Sequence, residues 1–156
     1  AVAAVVSAGI NGMDLGEALN LGQQIAQQAE GHGHWVAGGR IASRISWARS
    51  ISVDSDKALL ADVLYDVIGT SVASQESVVV SFALAQQVAI GEMNAFDALC
   101  MAASLGGDTD TIAAILGAML GACLGLESWP VAMIEKVKAV NDLELEPLVR
   151  GLLTLR

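Results

Sequence analysis

The stretch GGDTDTIAAILGAMLGACLGL, residues 106–126, sets two glycines, two carboxylates and one hydroxyl directly ahead of a run, Thr111 to Leu126, that opens on a second hydroxyl and carries no formal charge. The run has the length and apolar spacing of a helix, and the paired glycines ahead of it permit a sharp turn between helices. Gly117, Gly121 and Gly125 are four apart and fall in one row, which in lipid is a helix-pairing pattern. The run is shorter than the ~20 residues that span a bilayer and is guarded by two carboxylates. A buried central helix of a bundle is the expectation, with the glycine row allowing another backbone to come close.

The flanking sequence reads as helices as well. Asp14 and Glu17 make a D-x-x-E start for a helix over 15–30, in which Leu15, Ala18, Leu19, Gly22 and Ile25 recur on one face. The glycine-rich segment from Gly31 to Gly39 breaks it. A second helix is expected from about Arg40 to Ser50, a third from Ser55 or Asp56 to about Val67, and a fourth from Gln75 to Ile90, closed by Gly91. Asn94 with Asp97 opens the next. Ser128-Trp129-Pro130 reads as a cap with proline in the first turn, followed by helices near 130–140 and 144–153. No period-two alternation, internal repeat or long linker is present. The expected fold is all-α, a compact orthogonal multi-helix bundle over 1–156.

Hydrophobic residues make up 54% of the 156 but aromatics only 4%, so the core material is Ala, Val, Leu and Ile, suited to closely packed helices. Eight basic against 17 acidic residues leave a net charge of −9. That field repels polyanions and disfavours nucleic-acid binding; a phosphorylated ligand would need cations or helix N-termini to meet it. Cys100 and Cys123 sit in apolar helical stretches and are expected as buried free thiols. Ala1 to Ala8 lacks the basic flank of an export signal, so cytoplasm is the expected compartment, with no membrane attachment. A chain opening in mid-helix also suggests a fragment of something longer.

Asp108, Thr109, Asp110 and Thr111 present hard oxygens at a density that suits Mg²⁺, Ca²⁺ or Mn²⁺. One aspartate capping the helix beside a solvated one would give the same letters. The segment resembles the C-terminal signature of the ADP-ribosylglycohydrolase family. That resemblance implies that Asp108, Asp110 and Thr111 are ligands of a pair of magnesium ions, with Mn²⁺ a possible substitute, and that Asp108 and Asp110 act in catalysis through a metal-held water. Upstream, IGTSVASQESV, residues 68–78, looks like the family's glycine turn and Glu-Ser helix start beside the ADP-ribose site. It implies substrate contacts at Gly69, Ser71 and Ser77, joined by Gly107, although Val79 stands where the family usually has proline. The family's other metal motif, Thr-Asp-Asp-Thr, occurs nowhere in these residues, so a missing N-terminal segment is the implied partner.

The implied activity is Mg-dependent hydrolysis of the glycosidic bond of an ADP-ribosyl group, on a protein or a related conjugate, through a transition state of oxocarbenium character. A non-catalytic, crystallin-like relative and a hydrolase of another nucleosidic glycoside are the alternatives. His32 and His34 could share one metal in an extended loop, but with no third ligand nearby an exposed loop role is expected. Trp35, Trp47 and Trp129 are expected to pack among helices.

Overall fold

The computed structural model describes residues 1–35, 37–53 and 57–155. Among them every regular element is helical: α1 (Val2–Ile10), α2 (Leu15–Ala29), α3 (Ile41–Val53), α4 (Lys57–Asp62) running into a π-helical turn (Val63–Ile68), α5 (Ser74–Ala89), α6 (Ala95–Ser104), α7 (Thr109–Leu124), a 3-10 turn (Leu126–Ser128), α8 (Val131–Asn141) and α9 (Leu145–Leu153). The all-α expectation holds. Ser55 and Asp56, the expected start of the third helix, lie outside the described residues.

Two starts follow from local chemistry. The Asp14 carboxylate accepts the Glu17 amide at 3.1 Å, and the Asn94 side chain accepts the Asp97 amide at 2.8 Å, each satisfying a donor that the first turn of a helix leaves unpaired. Ser128, by contrast, belongs to the 3-10 turn and donates its hydroxyl to the Gly125 carbonyl at 2.8 Å; Pro130 holds the N-cap position of α8.

The most enclosed helix is α5 rather than α7. Val79 to Ala85 are buried without interruption, with Phe82 at their centre, and α3, α7, α6 and α2 pack around them. Polar groups inside this core are tied to backbone: Ser81 donates to the Ser77 carbonyl at 2.8 Å and lies 3.2 Å from the Ile112 carbonyl, while Gln87 reaches the Ser52 carbonyl. No buried side-chain nitrogen or oxygen among the described residues lacks a partner, as a well-formed interior demands. Helix α7 buries Ile112, Leu116, Met119 and Leu120 but leaves Ala114, Ala118 and Leu124 exposed.

The glycine row of α7 makes no close backbone approach. A methyl added to Gly117 would meet only Leu99, at an ordinary 3.6 Å, and one added to Gly121 would meet nothing within 4 Å. Close packing comes from Gly9 of α1, where an added Cβ would lie 2.6 Å from the Cys123 sulfur and 2.8 Å from the Ala122 carbonyl carbon. Gly125 ends α7 with φ of 74°. Two further expectations are corrected. Cys100 is exposed, because it sits on the outer side of α6, opposite the buried Ala95, Ala98 and Ala102; Cys123 is half-buried. Trp35 is 88% exposed and Trp47 41%, so only Trp129 packs against the core. Helices α8 and α9 bury no residue, and no described helix is long and apolar enough to cross a membrane.

Candidate metal and substrate site

Helix α7 begins two residues earlier than its uncharged run, and that displacement defines the site. Asp108 occupies the N-cap position, and Asp110 and Thr111 fall within the first turn. An aspartate at an N-cap ordinarily accepts a main-chain amide two or three residues on. Asp108 does not: its side chain makes no cap hydrogen bond, and the Asp110 carboxyl lies beside it. Asp110 accepts the Thr111 amide at 2.8 Å. That amide holds the Asp110 carboxyl below its ordinary range. Two carboxylates thus converge at the positive end of a helix, where negative charge is favoured.

Gly106 and Gly107 both have positive φ, 90° and 72°, which turns the chain from α6 into α7. The turn is packed as well as bent. A Cβ on Gly106 would stand 3.2 Å from the Tyr65 ring, and a Cβ on Gly107 would run into the carbonyl and hydroxyl oxygens of Thr70. At that same point the Asp108 amide donates to the Thr70 carbonyl at 2.7 Å. Gly69-Thr70-Ser71 and Gly107-Asp108, far apart in sequence, are therefore one surface.

The other side of this surface is built by residues that the sequence does not mark as functional. The π-helical turn ends with the Gly69 amide bonded to the Leu64 carbonyl, and Gly69 then leaves with φ of 90°. Its missing side chain makes room for the Glu76 carboxylate, which accepts the Ser71 amide at 2.8 Å. That amide, and then the Ser71 hydroxyl, keep Glu76 more acidic than usual against an opposing effect of burial, with a lesser contribution from the attraction of Arg44. Arg44 donates from Nε to the Gln75 carbonyl at 2.7 Å and from Nη2 to the Ile68 carbonyl at 2.8 Å. Arg44, one of two arginines in residues 41–53, offers no sequence signal for these contacts; Glu76 lies inside the 68–78 motif, where the resemblance gives it no role.

The four expected substrate residues are placed unequally. Gly69 and Ser71 flank Thr70, whose carbonyl receives the Asp108 amide, and Gly107 directly precedes Asp108; Ser71 and Gly107 are exposed. Ser77 is 2% exposed, and its hydroxyl donates back to the Ala73 carbonyl at 3.3 Å. His32 and His34 are exposed in the α2–α3 loop. Among the described residues no group of three or more His, Cys, Asp or Glu side chains gathers for a metal. Asp108, Asp110 and Thr111 fit a hard divalent cation in donor type, as one side of a cage. Two concavities lie elsewhere. One of about 440 Å³ runs between α2 and α3; one of about 790 Å³ lies under the α2–α3 loop and reaches the 68–78 segment at Gln75 and Val78.

The chain matches the ADP-ribosylglycohydrolase family over residues 1–156. It belongs to that family. It is also 30% identical over 156 residues to a protein of Escherichia coli (strain K12), "Uncharacterized protein YegU", across 99% of this chain and 46% of the relative. The chain thus spans about half the length of that relative. No solved structure matches it. Within an ADP-ribosylglycohydrolase framework, the Asp108–Asp110 pair and the Gly69–Ser71 turn are the two motifs that carry the resemblance, and here they touch.

Proposed function

We propose that this chain forms one wall of the divalent-cation site of a hydrolase that cleaves the glycosidic bond of ADP-ribosyl groups, on a modified protein or a related conjugate. The observation that supports it is the N-cap aspartate that does not cap: Asp108 makes no side-chain cap hydrogen bond, which leaves its oxygens clear of the α7 amides, two residues before Asp110. Hard carboxylate and hydroxyl donors suit Mg²⁺, with Mn²⁺ able to replace it. Bound there, such ions would supply Lewis acidity and positive charge to a ligand that the protein's net −9 otherwise repels.

The chain's own residues then have separate tasks. Asp108, Asp110 and Thr111 provide oxygen ligands. Gly107, having no side chain, lets the Thr70 turn pack against the start of α7, and the rim of Gly69 and Ser71 offers a surface for the ribose side of the substrate, with Ser77 behind it. Family membership supports the substrate class; further oxygen donors must complete the cage. Asp108→Asn and Asp110→Asn in the intact protein are each expected to abolish Mg²⁺-dependent release of ADP-ribose from an ADP-ribosylated substrate. Full activity in either variant would refute the assignment.

A further inference from the structure

The Asp108 amide ends on the Thr70 carbonyl, so the place where Asp108 stands depends on what holds Thr70. Residues 69–73 form no regular structure, yet both flanks of the turn are gripped by side chains from outside it. Arg44 binds the carbonyl just before the turn, at Ile68, and one just after it, at Gln75. A guanidinium is a rigid planar fork, so two carbonyls on one fork have their separation fixed. Glu76 then takes the Ser71 amide, the next residue after Thr70. Thr70 itself is 5% exposed.

We propose that Arg44 and Glu76 are positioning residues that set the location of Asp108, by clamping the turn whose Thr70 carbonyl receives the Asp108 amide. The claim about cations rests on the function proposed above; the claim about Asp108 does not. The clamp is indirect: neither side chain takes a place among the oxygen ligands, and each works through backbone.

The chemistry of the two grips predicts which substitutions are tolerated. Glu76→Gln keeps an oxygen acceptor for the Ser71 amide, whereas Glu76→Ala removes it. Arg44→Lys keeps the charge but, as a point donor, cannot hold both carbonyls in one geometry. In the intact protein, well below its unfolding transition, Glu76→Ala and Arg44→Lys are each expected to speed amide hydrogen exchange at Asp108 about tenfold and to weaken Mn²⁺ binding, titrated calorimetrically, about tenfold. Glu76→Gln is expected to restore both to near the wild-type values. A general loss of stability would not separate Gln from Ala at this one amide. Unchanged Asp108 exchange in both damaging variants, or Glu76→Gln behaving as Glu76→Ala, overturns the proposal. A wild-type protein that binds no Mn²⁺ removes the metal function, while Asp108 exchange still decides the clamp. Should Glu76→Ala fail to fold, the contrast between Arg44→Lys and Glu76→Gln at the Asp108 amide decides the clamp in its place.

Discussion

Replacing Gly107 with alanine should be far more costly than the same change at Gly12 or Gly121, for two separable reasons. The first is conformational: with φ of 72°, a side chain costs about 1 kcal/mol in the left-handed region. The second is steric. The new methyl would meet the Thr70 carbonyl and hydroxyl oxygens and come within 3.0 Å of its carbonyl carbon. Thr70 is buried, so the turn must move away and give up the 2.7 Å bond from the Asp108 amide, at about 2 kcal/mol. The total is about 3 kcal/mol, or a melting temperature lower by about 6–12 °C for a chain of this size. Gly12 is the matched control, since its φ is 88° but nothing lies within 4 Å, and Gly12→Ala should cost only the conformational part, about 1 kcal/mol. Gly121→Ala, inside α7 and also without a neighbour within 4 Å, should stabilise by up to about 1 kcal/mol through helix propensity. Urea unfolding followed by far-ultraviolet circular dichroism measures all three, provided the denaturant slope is unchanged. If Gly107→Ala costs no more than Gly12→Ala, the close packing of the two turns is wrong.

Other outcomes follow from the same contacts. Glu76 has a folded pKa below its ordinary 4.5, so its contribution is complete above that value and is lost as pH falls through the depressed one; the stability advantage over Glu76→Gln should be present at neutral pH and vanish in acid, as read by urea unfolding across pH. Cys100 is exposed, while burial, with some help from the charge of Asp14, pushes the Cys123 thiol up, so a thiol reagent at mildly alkaline pH should modify Cys100 at least about tenfold faster, as peptide mass analysis would show. Ser81→Ala should cost about 1 kcal/mol in unfolding experiments, because its hydroxyl links α5 to the Ile112 carbonyl of α7 and nothing else replaces it.

What is legible in the sequence is local. Asp14 and Asn94 announce helix starts because a cap needs only a side chain and an amide three residues away, and both are found as such. The start of α7 lies two residues ahead of its apolar run because Asp108 and Asp110 have the letters of an exterior guard, whereas Asp110 is already helical. The glycine row of α7 suggests a close neighbour, but spacing shows only that glycines share a face, not that anything is opposite; Gly9, a lone glycine with no pattern, is the one that brings α1 close to α7. Trp35 has the chemistry of a packing residue and does not pack, since it lies in the loop between α2 and α3. The aspartates are visible as a motif, yet the bond from Asp108 to Thr70 and the two grips of Arg44 join residues tens of positions apart, and no periodicity encodes them.

Gly9 gives α7 a property that matters at its opposite end. Sixteen residues at about 1.5 Å each make a rod of about 24 Å, seated against α1 where it finishes and against the Thr70 turn where it starts. A rod held at both tips cannot swing. The aim of the two aspartates is therefore set partly by the first ten residues of the chain, and bulk introduced at Gly9 would redirect oxygen atoms that it never touches.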